Sequence, residues 1–281
     1  MQLKQIGLTA LVTLLAGIST PVSALAAKAY TPAVRQPELL AISQPQLAKT
    51  QADEFEQWFN QGNSLLDKEN YTDALKAFEQ AIRINPNRAE AWEGRGTALY
   101  GLQQYNEAIA AFQKALELDP KVVPAWIELG NALDDAGNSE EALKAYDRAL
   151  ALDTNNAHAW YNRGVTLGRL KRYEEAVASY DKTVSIDPKY ESAWYNRGNE
   201  LARLKRYPEA IASFERAIAI NPKSERAWFN RGLALALLKR YQEAIASFDE
   251  ALRINPNNTR AKENRDMLQR QVGRNSEPEV V

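Results

Sequence analysis

The stretch AWYNRGVTLGRLKRY at residues 159–173 returns as AWYNRGNELARLKRY at 193–207 and as AWFNRGLALALLKRY at 227–241. The interval between copies is 34 residues, and a glycine follows each tryptophan four residues later. Every tryptophan of the chain keeps the same interval: Trp58, Trp92, Trp126, Trp160, Trp194 and Trp228. A rare residue that recurs only in phase indicates a tandem internal repeat.

Each repeat has the apolar spacing of two helices. Trp160, Gly164 and Leu167 fall on one face of a first helix. A second helix with the same kind of spacing starts near Tyr173 and ends before Pro188, because proline cannot continue a helix. A hairpin of this size cannot bury its own apolar face, so neighbouring repeats must stack to form a core.

This combination of tryptophan, glycine, leucine and turn tyrosine at a period of 34 resembles the tetratricopeptide repeat (TPR) family, of the exported bacterial type. The resemblance implies an all-α, right-handed α-solenoid whose first helices line a concave groove. Residues 259–272 keep the phase but are polar, which predicts a C-terminal capping helix. The predicted units one to six are 55–88, 89–122, 123–156, 157–190, 191–224 and 225–258.

The first 26 residues are typical of a secretory signal peptide. Lys4 precedes an apolar centre at residues 6–18, and Ala24-Leu25-Ala26 has the small-x-small pattern of a cleavage site. An uncleaved membrane anchor is the alternative, although a span needs roughly 20 apolar residues. The sequence therefore predicts export to the periplasm or a comparable lumen. The remaining predicted segments are a Pro/Gln-containing linker at 27–54 and a disordered tail at 273–281.

Composition argues against an enzyme and against most cofactors. The chain has no cysteine, and His158 is its single histidine, so the usual zinc or iron ligand sets are missing. Asp134 and Asp135 form a carboxylate pair near a turn, where solvation is expected. A net charge of −1 does not indicate the basic surface that proteins use to bind nucleic acid. We therefore expect a non-catalytic protein with no metal, no cofactor and, after signal cleavage, no membrane contact.

The charge of the repeats is divided between their two halves. Residues 55–156 contain 9 basic and 17 acidic side chains, a net charge of −8, whereas residues 157–258 contain 17 and 12, a net charge of +5. A solenoid polarised in this way can steer a charged partner or associate with itself. A self-associating structural protein is therefore the alternative to a peptide-binding one.

Asn162, Asn196 and Asn230 lie opposite the tryptophan stripe, on the side that lines the groove in the TPR family. An amide offers donors and an acceptor, which suits the backbone of an extended peptide. A Tyr-Asn pair is also common at this place in TPR units without a ligand role, so both readings stay open. The candidate groove residues are Tyr161, Asn162, Arg169, Tyr195, Asn196, Asn199, Arg203, Arg226, Phe229 and Asn230.

Arg163, Arg197 and Arg231 are interpreted differently, because they lie beside the tryptophan stripe. An arginine there can pack its aliphatic stem and turn its guanidinium to a neighbouring carboxylate. We expect these three residues to belong to the scaffold. The function predicted for the whole chain is an exported scaffold or adaptor that binds a peptide segment or protein partner during complex assembly.

Overall fold

The structure, a computed structural model, describes residues 44–276. The predicted signal peptide and most of the predicted linker lie outside these residues. Within them the chain is entirely helical, with thirteen α-helices and no strand, so the predicted all-α repeat fold is confirmed. The helices are α1 (Gln44–Leu66), α2 (Tyr71–Ile84), α3 (Ala89–Gly101), α4 (Tyr105–Leu118), α5 (Val123–Asp135), α6 (Ser139–Leu152), α7 (Ala157–Arg169), α8 (Tyr173–Ile186), α9 (Glu191–Arg203), α10 (Tyr207–Ile220), α11 (Glu225–Leu237), α12 (Tyr241–Ile254) and α13 (Thr259–Ser276).

The helices pair in chain order. The odd-numbered helices α1 to α11 are the first helices of six hairpins, and the even-numbered ones are their second helices. Each second helix also packs against the first helix of the next unit, and α13 closes the series against α12. The result is an α-solenoid.

The two ends of the helical array differ from the sequence-based boundaries. Helix α1 begins at Gln44, so residues 44–54, predicted as linker, are helical. Pro45 does not prevent this, since proline is tolerated in the first turn of a helix. Helix α13 extends to Ser276, beyond the predicted end at 272, because the first helix-breaking residue is Pro278. The rest of the predicted tail lies outside the described residues.

Between Gln44 and Ser276 no helix combines the length and the apolar character that crossing a membrane requires.

The repeated glycines allow each first helix to approach its second helix closely. A Cβ atom built on Gly130 would lie 2.4 Å from Cε1 of Tyr146, well inside van der Waals contact. The Tyr146 ring is 1% exposed, so it has no space to move away. The same glycine–aromatic contact occurs at Gly62–Phe78, Gly96–Phe112, Gly164–Tyr180, Gly198–Phe214 and Gly232–Phe248.

The repeated tryptophans bind the turn that enters their unit. In unit four, Nε1 of Trp160 donates a hydrogen bond to the carbonyl oxygen of Thr154, at 3.0 Å. In the neighbouring units the acceptor is the carbonyl oxygen of Pro120 or Pro188. Because only a backbone carbonyl is required, threonine replaces proline without loss of this bond.

The arginines that follow these tryptophans connect three helices. Nε of Arg163 donates to Asp147 on α6 at 2.8 Å, and Nη1 donates to Ser179 on α8 at 2.8 Å. Arg197 and Arg231 make the equivalent bonds one and two units later. These contacts support the scaffold interpretation of the three arginines.

Candidate functional site

Seven of the ten candidate groove residues lie on one stripe of their first helix, and the other three, Tyr161, Tyr195 and Phe229, lie beside it. In α11 this stripe contains Arg226, Asn230, Leu233 and Leu237, at intervals of three or four residues that share a helix face. Leu237 is 61% exposed. We call this set, with the equivalent positions of α7 and α9, the groove stripe. Successive first helices place their groove stripes side by side, so that equivalent residues form rows across the units.

The three asparagines of the groove stripe bind neighbouring units as well as facing the groove. Nδ2 of Asn162 donates to Oδ1 of Asn131 at 2.9 Å, and Nδ2 of Asn196 donates to the hydroxyl of Tyr161 at 3.1 Å. Asn230 donates in the same way to the hydroxyl of Tyr195. Each amide therefore fastens its unit to the preceding one. Within residues 44–276, Oδ1 of Asn162 and of Asn230 has no donor.

Asn199 lies further along the stripe of α9, and its Oδ1 accepts the second Nδ2 proton of Asn230 at 2.8 Å. Both donor hydrogens of Asn230 are therefore used within the protein. Asn230 of unit six is thus bound to both Tyr195 and Asn199 of unit five.

The aromatic residues beside these asparagines are not equivalent to one another. Tyr161 and Tyr195 are half-buried and use their hydroxyls as acceptors. Phe229, which was predicted to face the groove, is buried against Phe248, with ring centroids 5.7 Å apart. Phenylalanine has no hydroxyl to keep at the surface, which explains its deeper position.

The arginines of the groove stripe have three different environments. Arg169 donates to Asp134 at 2.7 Å and to Asp135 at 3.3 Å. Arg203 lies 3.3 Å from Oε2 of Glu200. The guanidinium of Arg226 lies over the Tyr195 ring, 5.5 Å from its centroid. All three side chains are exposed on the groove side.

A polar pocket of about 270 Å³ lies where units two, three and four meet. At its base Asp134 is 8% exposed and accepts hydrogen bonds from Ser139 (2.5 Å), Thr166 (2.8 Å) and Arg169. The expectation that Asp134 is solvated is therefore wrong. Its partners lie on two other helices, α6 and α7, and no local sequence pattern reveals this arrangement. The lining residues are Tyr100, Asn131, Asp134, Asp135, Tyr146, His158, Asn162, Val165 and Arg169.

A larger and more apolar cleft, of about 470 Å³, lies between α9 and α11. Leu233, Leu237 and Ala202 form much of its wall, and Arg203 stands at its edge. Of the ten sequence-predicted residues, Tyr195, Asn199, Arg203 and Asn230 line this cleft. Asn162 and Arg169 line the polar pocket instead. The predicted residues therefore divide between two adjacent cavities.

Comparison with protein families gives three matches to a tetratricopeptide repeat model, at residues 59–122, 127–191 and 193–259. The chain belongs to the tetratricopeptide repeat family. No protein with a curated description matches it significantly.

Several solved structures have a fold similar to that of this chain. YrrB, described as a TPR protein with an unusual peptide-binding site, is 24% identical, with a TM-score of 0.60, over 68% of this chain and 99% of YrrB. MamA is 25% identical, with a TM-score of 0.56, over 59% of this chain and 96% of MamA. PilF of Pseudomonas aeruginosa is 16% identical, with a TM-score of 0.65, over 79% of this chain and 99% of PilF.

One junction of this TPR array contains a buried carboxylate with incomplete bonding. Glu200 is 9% exposed, and its Oε2 accepts no hydrogen bond from any of the described residues, although Arg203 lies nearby. The carboxylate packs on Gly168, where a Cβ atom would lie 3.0 Å from Oε1. Burial raises the pKa of Glu200 above the ordinary value, against an opposing effect of Arg203.

Glu200→Gln is expected to stabilise the protein at neutral pH and to lose this advantage as the pH falls. The folded-state pKa of Glu200 is raised, so its contribution to stability is present below the unfolded-state pKa and is lost as the pH rises through the folded-state pKa. Urea unfolding of both proteins between neutral and mildly acidic pH measures the difference.

Glu209→Gln is the control for this prediction. Glu209 is exposed in the same unit, and the hydrogen bond from Arg206 lowers its pKa. Its stabilising effect is therefore lost as the pH falls, with the opposite sign to Glu200. An equal pH dependence in the two variants would contradict the assignment of Glu200.

Proposed function

We propose that the chain is an exported, non-catalytic TPR adaptor that binds an extended peptide segment of a partner protein and serves protein complex assembly. The observation that carries this proposal is the groove stripe. Its amide, guanidinium and apolar side chains are partly exposed across α7, α9 and α11, and they line two cavities. A surface with this mixture of polar and apolar groups can contact both the backbone and the side chains of an extended peptide.

The asparagines define what the groove offers to a peptide backbone. Their Nδ2 groups are already bound to neighbouring units, so Asn162 and Asn230 offer the acceptor Oδ1. An extended peptide presents N–H groups that can donate to such acceptors. The description of YrrB as peptide-binding agrees with this proposal, while its likeness to the present chain establishes the fold alone.

Export and the absence of catalysis rest on the sequence. The apolar N-terminal segment with Ala24-Leu25-Ala26 supports secretion. The lack of cysteine and the single histidine leave few groups for nucleophilic or metal-assisted chemistry.

Photo-cross-linking tests the proposal. Peptides selected on the full chain from a random phage-displayed library are bound to protein that carries a benzophenone amino acid in place of Leu237. We expect cross-links at this position, because Leu237 is exposed on the groove stripe. The products are identified by mass spectrometry.

The control places the same amino acid at Leu152. This leucine is 47% exposed, and it lies at the end of α6, a second helix. We expect no cross-link there. Failure to select any peptide, or equal cross-linking from the two positions, would overturn the proposed function.

Replacement of the three asparagines by alanine is a weaker test. Each asparagine also makes a bond between units, and loss of each bond costs about 1 kcal/mol. Reduced binding by such a variant would not separate a lost contact from a loosened array.

A further inference from the structure

Two sets of arginines in the C-terminal half of the array, including the capping helix α13, have different environments. Arg163, Arg197 and Arg231 each bind an acidic side chain of the preceding unit. Arg226 and Arg260 bind no carboxylate among residues 44–276. Their guanidinium groups lie over aromatic rings, Arg226 over Tyr195 at 5.5 Å and Arg260 over Phe229 at 5.1 Å. The protein thus neutralises its scaffold cations and leaves two groove cations without a counter-charge.

These two cations lie on one edge of the groove. Arg226 and Arg260 are separated by one repeat and occupy the same position near the start of α11 and α13. Aromatic stacking positions a guanidinium group and leaves its N–H donors available for a carboxylate. This edge therefore offers a row of oriented cations.

The opposite edge is apolar. Leu233 and Leu237 follow Arg226 along α11, and with Ala202 they form the wall of the cleft between α9 and α11. The helical rise separates Arg226 from Leu237 by about 16 Å along the helix. A leucine that is 61% exposed beside a cleft of this volume indicates a binding surface for an apolar side chain.

The other half of the groove has the opposite charge. Glu93 and Glu128 lie on the first helices of units two and three, and burial together with their mutual repulsion raises the pKa of Glu93. Asp135 continues the acidic surface to the polar pocket. We therefore expect an acidic ligand to be repelled from units two and three and to bind at units five and six.

We propose that the groove over units five and six, continued by the capping helix α13, binds an extended segment in which acidic and large apolar side chains alternate. The proposal rests on the proposed peptide-binding function and specifies its ligand. Successive side chains of an extended peptide point to opposite sides. The acidic side chains therefore meet Arg226 and Arg260, while the apolar ones enter the cleft beside Leu237. The amide row with Asn230 lies between the two edges, under the peptide backbone.

Three fluorescein-labelled synthetic peptides test the pattern on the full chain. In the first, glutamate and leucine alternate; the second has the same composition with glutamates and leucines in separate blocks; in the third, lysine and leucine alternate. We expect the first peptide to bind at least about tenfold more tightly than either of the others, measured by fluorescence anisotropy.

Substitutions in the protein test the edge of the groove that carries the two arginines. Arg226→Gln combined with Arg260→Gln is expected to weaken binding of the alternating acidic peptide by about tenfold. The matched control is Arg216→Gln, since Arg216 also stacks on a ring, that of Trp194 at 5.5 Å, but belongs to the second helix α10. We expect this control to bind like the wild type.

The apolar edge is tested with a double-mutant cycle. Leu237→Ser in the protein and leucine→serine in the peptide should each weaken binding, and together they should weaken it by less than the product of the two effects. The protein control is Leu152→Ser, which removes an exposed leucine outside the cleft and should show no such coupling.

The outcomes separate this inference from the proposed function. Equal affinity for the alternating and block peptides, or no effect of the two arginine substitutions, would overturn the inference even when library peptides still cross-link at position 237. Absence of any peptide binding would overturn both. A dimer in analytical ultracentrifugation that Arg226→Gln and Arg260→Gln dissociate would assign the surface to a second copy of the chain and would also overturn it.

Discussion

Gly130→Ala is expected to lower the free energy of unfolding by about 3 kcal/mol. The added methyl group would lie 2.4 Å from Cε1 of Tyr146. This ring is buried, and its hydroxyl donates to Asn131 at 2.8 Å, so the ring cannot shift without breaking a second contact. The loss is expected even though alanine favours a helix over glycine by about 1 kcal/mol.

Urea unfolding followed by circular dichroism measures the total effect, and hydrogen exchange locates it. Because a repeat array is stabilised by contacts between neighbours, increased exchange should concentrate in units two to four. Gly273→Ala is the control: a Cβ atom there has no neighbour within 4 Å, so this change should stabilise α13 slightly. A loss of stability below about 1 kcal/mol for Gly130→Ala would contradict the close contact between Gly130 and Tyr146.

Asp134→Ala is expected to cost about 3 kcal/mol, because one buried carboxylate accepts bonds from Ser139, Thr166 and Arg169. Thr166 is fully buried and would lose its acceptor. The bonds from Thr166 and Arg169 join units three and four. We therefore expect the array to separate into an N-terminal and a C-terminal part that unfold at different urea concentrations, in place of a single transition.

Asp135→Ala is the matched control. Asp135 is more exposed, and it accepts bonds from Tyr100 at 2.5 Å and from Arg169 at 3.3 Å. Its loss should cost no more than about 1 kcal/mol, since exposed ion pairs contribute little. Equal effects of the two substitutions would show that burial does not distinguish the neighbouring carboxylates.

The period of 34 was sufficient to predict the hairpins, because packing residues such as Trp160 and Gly164 must recur wherever the same helix contact recurs. The scaffold role of Arg163 was predictable for the same reason. Phase also assigned the candidate groove residues to the first helices, where the structure has them. These features depend on positions that are equivalent in every unit, and periodicity reports such positions directly.

Features that differ between units were not predictable in this way. Asp134 was expected to be solvated, yet it is buried by Thr166 and Arg169, which lie 32 and 35 residues away. The burial of Phe229 depends on one missing hydroxyl relative to Tyr195. Asn196 and Asn230 donate to equivalent tyrosines, whereas Asn162 donates to Asn131, since Ile127 occupies the tyrosine position of unit three.

The two buried carboxylates impose a fixed order on the modules. Asp134 and Gly168 occupy equivalent positions in their units, as do Thr166 and Glu200. At the junction of units three and four the earlier unit contributes the carboxylate, whereas at the junction of units four and five the later unit contributes it. Deleting unit four would bring Asp134 and Glu200 into the same junction, where their repulsion opposes packing. Deleting unit five would leave Gly168 facing Ala234, with no carboxylate between them. Loss of a whole repeat from the middle of the array is therefore disfavoured, although every repeat has the same length.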